Sequence, residues 1–207
     1  MRTWRAGSPA TVTEEIGEKR VRWDQRHAAA ADIGAPAEVL LRNAHLLPAR
    51  GEALDLACGR GANALWLAGH TALHVHAWDF SPVAVATLEA AADARGLRIA
   101  AEVRDVVARP PPPQAFDVVL VTHFLERRIV PALIGALRPG GLLLFQTFGR
   151  EAVSERGPST PEWRLARNEL LQLFAGLIVR AYREEGRLGD PARGLRDLAY
   201  LVAERPQ

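Results

Sequence analysis

Gly59 and Gly61 stand one residue apart, after a segment that carries an acid and before a segment rich in Ala, Leu and Trp. The stretch is Leu54-Asp55-Leu56-Ala57-Cys58-Gly59-Arg60-Gly61-Ala62-Asn63. It reads as a strand, a tight turn and the start of a helix. A turn this tight needs residues without a Cβ, both for positive φ and to let a ligand lie against bare backbone. The helix beyond points its unpaired N–H groups at whatever lies over the turn. In a doubly wound sheet this place, outside the carboxyl end of the first strand, takes nucleotide-like cofactors. With Ala64 the glycines also satisfy a loose G-x-G-x-x-A dinucleotide pattern. Asp55, four residues before Gly59, argues against that pattern, because dinucleotide sites usually carry an apolar residue there.

Further along, Asp79 ends a second strand twenty residues after Gly59, and Asp105 ends a third. An ionised carboxylate at such a tip can accept two hydrogen bonds from a vicinal diol. Thr122-His123-Phe124-Leu125-Glu126 ends a fourth strand. A histidine there can touch a substrate or take its proton at neutral pH.

The elements that must position these groups alternate. Strands are expected at 52–57, 73–79, 98–104, 116–122, 142–147, 178–183 and 198–203. Helices are expected near 21–30, 36–46, 63–69, 82–95, 129–137 and 162–174. Residues 1 to about 18 read as irregular. Ser81-Pro82 is an N-cap followed by proline at the first helical position. The run Pro110–Pro113 can form neither helix nor central strand and reads as a stiff exposed loop. The alternation implies parallel βαβ units in a doubly wound, seven-stranded, mostly parallel α/β sheet.

Composition narrows the class. At 207 residues, 48% apolar and 24% charged, the chain fits one globular domain. No apolar run reaches the ~20 residues that span a bilayer, and Met1–Arg5 lack an apolar leader. One cysteine cannot form an internal disulfide, which suits the cytoplasm. Lys19 is the only lysine, so arginines raise the pI to about 9.2 although the formal charge is only +2. That small excess argues against a nucleic-acid partner. The six histidines show no metal-ligand spacing, and no metal is expected.

Asp55-x-x-Cys58-Gly59-x-Gly61 resembles the first motif of class I S-adenosylmethionine (SAM) methyltransferases, acid-x-Gly-x-Gly-x-Gly, with Ala57 standing where glycine is usual. Asp79, Asp105, Phe116-Asp117-Val118-Val119 and Leu137-Arg138-Pro139-Gly140-Gly141 match the family in order and spacing. Trp23-Asp24-x-Arg26-His27 and Gly157-Pro158-Ser159-x-Pro161-Glu162-Trp163 resemble the small thiopurine/tellurite-resistance-type (TehB-like) group.

The resemblance implies that Asp55, Ala57, Cys58, Gly59, Gly61 and Asn63 line the cofactor. Asp79 would take the ribose hydroxyls, Phe80 would lie against adenine, and Asp105 with the Val106 N–H would meet its edge. Residues 1–50 would form a helical cap, with Trp23 on the cofactor and Arg26 near its methionine carboxylate. Residues 51–148 would be the SAM-binding core. Residues 149–207 would supply a substrate-side loop, a helix and the closing strands, which the family makes an antiparallel C-terminal hairpin. His123, Phe124, Phe148 and Trp163 would face the substrate, with His123 as base.

The expected activity is in-line methyl transfer from SAM to a small molecule, leaving S-adenosylhomocysteine (SAH). Thr122-His123-Phe124-Leu125 is not the Asn/Asp-Pro-Pro-aromatic run of base-amine modifiers, and Cys58 lies in the first motif rather than beyond the fourth strand. An RNA or protein methyltransferase and a non-catalytic SAM-binding module stay open as alternatives. A dehydrogenase comes last, for want of a second substrate domain.

Overall fold

The computed structural model describes residues 9–207; Met1–Arg5, read above for a leader, lie outside them. Seven strands form one sheet in the order β3-β2-β1-β4-β5-β7-β6. They are β1 Arg50–Leu56, β2 Ala72–Asp79, β3 Ile99–Val103, β4 Phe116–Thr122, β5 Leu137–Phe148, β6 Ile178–Glu184 and β7 Leu198–Glu204. The first five are parallel, and β7 pairs antiparallel with both β5 and β6. The strand order reverses between β1 and β4, which places a switch point at the carboxyl end of β1.

The helices are α1 Pro9–Ala29, α2 Glu38–Asn43, α3 Ala62–His70, α4 Pro82–Asp93, α5 Val130–Ala136 and α6 Glu169–Leu173. Strands buried on both faces read as apolar runs, and β4 is buried at every position but Asp117. Its alternate residues feed two cores. Phe116, Val119 and Val121 join Leu54, Leu56 and Phe145 on one side. Val118 and Leu120 join Ala53, Leu67 and Leu88 on the other. Ser81 caps α4 as expected, accepting from the Ala84 N–H at 3.2 Å.

Three elements differ from the sequence reading. The first helix starts at Pro9, where irregular chain is expected to about residue 18. The helix expected over 162–174 shrinks to α6 and a short 3-10 turn at Pro161–Trp163. There the backbone is already committed: the Leu165 N–H donates to Phe148 O at 2.8 Å, and Leu165 O accepts from the Arg150 N–H at 2.9 Å. Asn168, at φ +59°, then breaks the helical path. The turn expected at 138–141 is absorbed into β5. Between β3 and β4 the chain crosses without a helix. The proline run lies there, and Pro111 is buried although the run reads as exposed.

Candidate active site

Backbone hydrogen bonds lace the carboxyl tips of the first three strands together. The Cys58 N–H donates to Trp78 O at 3.0 Å, and the Arg104 N–H donates to Asp79 O at 2.7 Å. Side chains add to this. Asp79 Oδ2 accepts from the Gly59 N–H at 2.7 Å, and its Oδ1 accepts from the Ser81 N–H at 2.9 Å. Asp79 is 7% exposed, and burial pushes its carboxyl above the usual range against the pull of those N–H groups and of His27.

The turn has the expected backbone. Gly59 lies at φ +54° and Gly61 at φ +84°. A side chain on Gly61 would overlap Leu88, so packing alone requires glycine there. Ala57 also lies at positive φ, +55°, in the region costly to residues with a Cβ. Asp55 is fully buried; its Oδ2 accepts from the Ala64 N–H at 3.1 Å. Its Oδ1 has no hydrogen-bond partner among the described residues. Burial raises its pKa to about 7, with the Ala64 N–H and the Asn63 side chain offsetting part of the effect. Cys58 is buried, which pushes its thiol well above the ordinary range.

Asn63 turns inward. Its Oδ1 accepts from the Ala37 N–H at 2.8 Å, and its Nδ2 donates to Thr122 Oγ1 at 3.0 Å. Gln146 Oε1 takes the Val39 N–H at 2.9 Å. Two core side chains therefore satisfy free N–H groups at the start of α2 and fix it against the tip of β4.

Helix α1 reaches the site through Asp24 and His27, to which the sequence reading gave no role, rather than through Trp23 and Arg26. Asp24 Oδ1 accepts from Ser81 Oγ. A methyl carbon built on Gly59 would stand 3.4 Å from His27 Cε1. Arg20 lies over the Phe80 ring, 4.7 Å from its centroid. Arg60 Nη1 donates to Ala30 O and Asp32 O and ties down the end of α1. Trp23 and Arg26 lie on the exposed side, with the Arg26 guanidinium 5.2 Å from the Trp23 ring centroid. Positions 20, 24 and 27 share one helical face, a spacing that separates Asp24 and His27 from Trp23 and Arg26 within the same motif.

Asp105 lies two residues past β3, and its Oδ1 accepts from the Val107 N–H at 2.9 Å and the Ala108 N–H at 3.2 Å. Val106 is buried in the core. His123 follows β4 at φ +55°, its N–H donating to Gln146 O at 2.8 Å. Its ring centroid is 5.3 Å from that of Phe148. The residue surface is open, yet the ring beside Phe148 loses hydration. That loss and the Arg156 charge hold its pKa below the ordinary value. Phe124 is half-buried against the core, and Trp163 is 52% exposed.

Residues 53–141 match a family model described as a methyltransferase domain. The chain carries a methyltransferase domain of the SAM-dependent class. Solved structures resemble this methyltransferase over most of its length. One, described as "Conversion of a Disulfide Bond into a Thioacetal Group during Echinomycin Biosynthesis", is 27% identical at TM-score 0.69, covering 91% of this chain and 93% of that one. The [4+2]-cyclase SpnF is 24% identical at TM-score 0.64, covering 81% and 78%. TehB from Haemophilus influenzae is 22% identical at TM-score 0.62, covering 90% and 67%. No curated protein sequence matches the methyltransferase. Among its described residues no helix is long and apolar enough to cross a membrane, and no group of three or more His, Cys, Asp or Glu side chains could hold a metal ion.

Proposed function

We propose that the protein methylates a small molecule carrying a sulfur nucleophile. One observation carries the reading: a bare-backbone turn after β1 donates the Gly59 N–H to the Asp79 carboxylate at the tip of the adjacent β2, and His123 follows β4, the strand on the other side of β1. The donor set suits SAM. Asp79 makes two backbone hydrogen bonds, and a carboxylate has room for two more. Gly59 leaves space that His27 borders, and Asp105 Oδ1 faces its own turn. Asp79, Phe80, Asp105, Val106 and the segment Asp55–Asn63 would hold the cofactor, under a cap made by residues 1–50 that includes Trp23 and Arg26. Bound SAM supplies a methyl group on a sulfonium.

The chain's own contribution is alignment and exclusion of water, which can be large in an in-line displacement. His123, Phe124, Phe148 and Trp163 line the acceptor side in this reading. His123 is neutral at pH 7 because its pKa is lowered, so its ring nitrogen is free to take a thiol proton. The first structure above concerns a disulfide converted to a thioacetal, which supports sulfur as the nucleophile. The single cysteine suits a cytoplasmic setting.

Incubation with SAM and a panel of thiols, carboxylic acids, amines, tRNA and peptides, followed by mass spectrometry, tests the reading. Methyl transfer confined to sulfur acceptors is expected. Transfer to tRNA or peptide alone would replace it. SAH binding without transfer to anything would favour the second reading, a SAM-binding module; Ala57 at positive φ supports that reading because it strains the motif where glycine is usual.

A further inference from the structure

Helix α1 is joined to the body by polar contacts rather than by burial. Between Gly17 and Ala29 no described side chain is buried, and only Asp24 and His27 are half-buried. An element without an apolar anchor opens locally at low free energy. The chain beyond it is firmly seated. Ile33 packs against the core, and the Asn63 and Gln146 side chains hold the Ala37 and Val39 N–H groups. Ala30–Asp32 is therefore the joint between a loosely held helix and a fixed body. Residues 31–34 line an open cleft of about 630 Å³ with Thr87, Ala90 and Ala91 of α4, so the joint has room to move.

One side chain grips that joint. Arg60, between the two glycines of the turn, donates from Nη1 to Ala30 O at 2.7 Å and to Asp32 O. These carbonyls lie just past the end of α1, where a helix leaves C=O groups unpaired and carries partial negative charge. A guanidinium there makes charge-assisted hydrogen bonds. Arg60 Nε is shut away from water with no acceptor among the described residues. An unmet buried donor disfavours the closed arrangement and is relieved when the grip opens, so the grip is releasable. The residue before Arg60, Gly59, gives its N–H to the Asp79 carboxylate. One short turn therefore bonds both the proposed ribose site and the joint of the cap.

We propose that Arg60 is the positioning residue through which the cofactor turn holds the cap: it fixes α1 at Ala30–Asp32 and so sets how fast the cofactor leaves. The inference rests on the reading of residues 1–50 as a cap over SAM and adds what keeps that cap shut. Asp24 contributes one hydrogen bond farther up the helix, to Ser81. Among the described residues Arg60 is the side chain that bonds the joint itself. Its loss frees the whole helix, whereas loss of a contact along the helix frees one turn.

Amide hydrogen exchange of the full-length, ligand-free protein reads the joint, and the SAH dissociation rate, measured by displacement with excess SAM, reads the cap. Arg60→Gln should speed exchange over residues 17–29 about tenfold, the worth of one charge-assisted hydrogen bond, and raise the SAH dissociation rate by a similar factor. Exchange in β1 and β4 should not change. Arg60→Lys, which keeps a charged donor, should recover part of both effects. Arg95→Gln, at another arginine of the same cleft, should alter neither. Unchanged exchange over residues 17–29 in Arg60→Gln, an equal rise in β1 and β4, or an equal effect in Arg95→Gln would each overturn the assignment. Faster exchange in α1 with an unchanged SAH rate would overturn it too, because α1 would then not gate the cofactor. A wild type that binds no SAH would overturn the functional reading and the gating role with it, whatever the exchange shows.

Discussion

The His27 ring of α1 stands over Gly59 and beside Asp79, with its Cε1 3.4 Å from where a Gly59 methyl carbon would be. Burial holds the imidazole below its ordinary pKa while Asp79 pulls it up. The ring therefore borders the carboxylate proposed to take the cofactor's ribose. His27→Ala should tighten SAH about threefold at pH 7 by clearing the approach to Asp79. Wild-type affinity for SAH should fall as pH drops below 6.5, where His27 takes a proton, pairs with Asp79 and resists displacement. Calorimetry of both proteins from pH 5 to pH 8 checks this; weaker binding by the variant would make His27 a contact of the cofactor instead.

Ala57 has φ +55°, where a Cβ costs roughly 1–2 kcal/mol. Ala57→Gly should relieve that cost against about 0.5–1 kcal/mol of added backbone entropy. The expected outcome is a melting temperature unchanged or raised by up to about 4 °C, with tighter SAH binding. A clear loss of stability would show that the positive φ at Ala57 carries no such cost.

Asp55 is buried with a pKa of about 7, above its unfolded value near 3.9. Between those values the folded chain holds a proton that the unfolded chain has released, so this group's contribution to stability falls as pH rises through the window and is level above it. Asp55→Asn removes the titration. The stability difference, variant minus wild type, should rise from pH 4 to pH 7 and then flatten, as followed by urea unfolding. A difference independent of pH would mean that Asp55 is ionised throughout.

His123→Ala should lower kcat on a thiol acceptor about a hundredfold, within the range of general-base catalysis. The wild-type rate should fall on the acid side with an apparent pKa below 6.5, since the base works only when neutral and its pKa is depressed. Arg156→Gln should move that limb toward 6.5. A stopped assay for SAH across pH gives all three profiles; unchanged turnover in His123→Ala would remove it from the mechanism.

The βαβ alternation was legible because both periods, two and 3.6, leave an apolar imprint, and because Ser81-Pro82 and the glycines punctuate it. The α6 region was misjudged for the opposite reason. Glu162–Phe174 has helical composition, but Arg127 holds Glu162 O and Arg164 O while Phe148 O holds the Leu165 N–H. Such contacts come from residues 17 to 37 positions away and leave no local trace.

What the sequence determined by itself is the local backbone at the strand tips: Asp55, Gly59, Gly61 and Asp79 have the types and spacings of a glycine turn between strand and helix flanked by acids, because positive φ and a buried acid are local demands on single positions. What the tertiary structure alone decided is who faces that turn and how. Asp24 and His27 approach it while Trp23 and Arg26 lie on the exposed side. Asn63 gives its side chain to Ala37 and Thr122, and Arg127 takes the carbonyls of Glu162 and Arg164. Those outcomes depend on the rotation of a helix about its axis and on a competition for distant carbonyls, and neither quantity is written in any short stretch of chain.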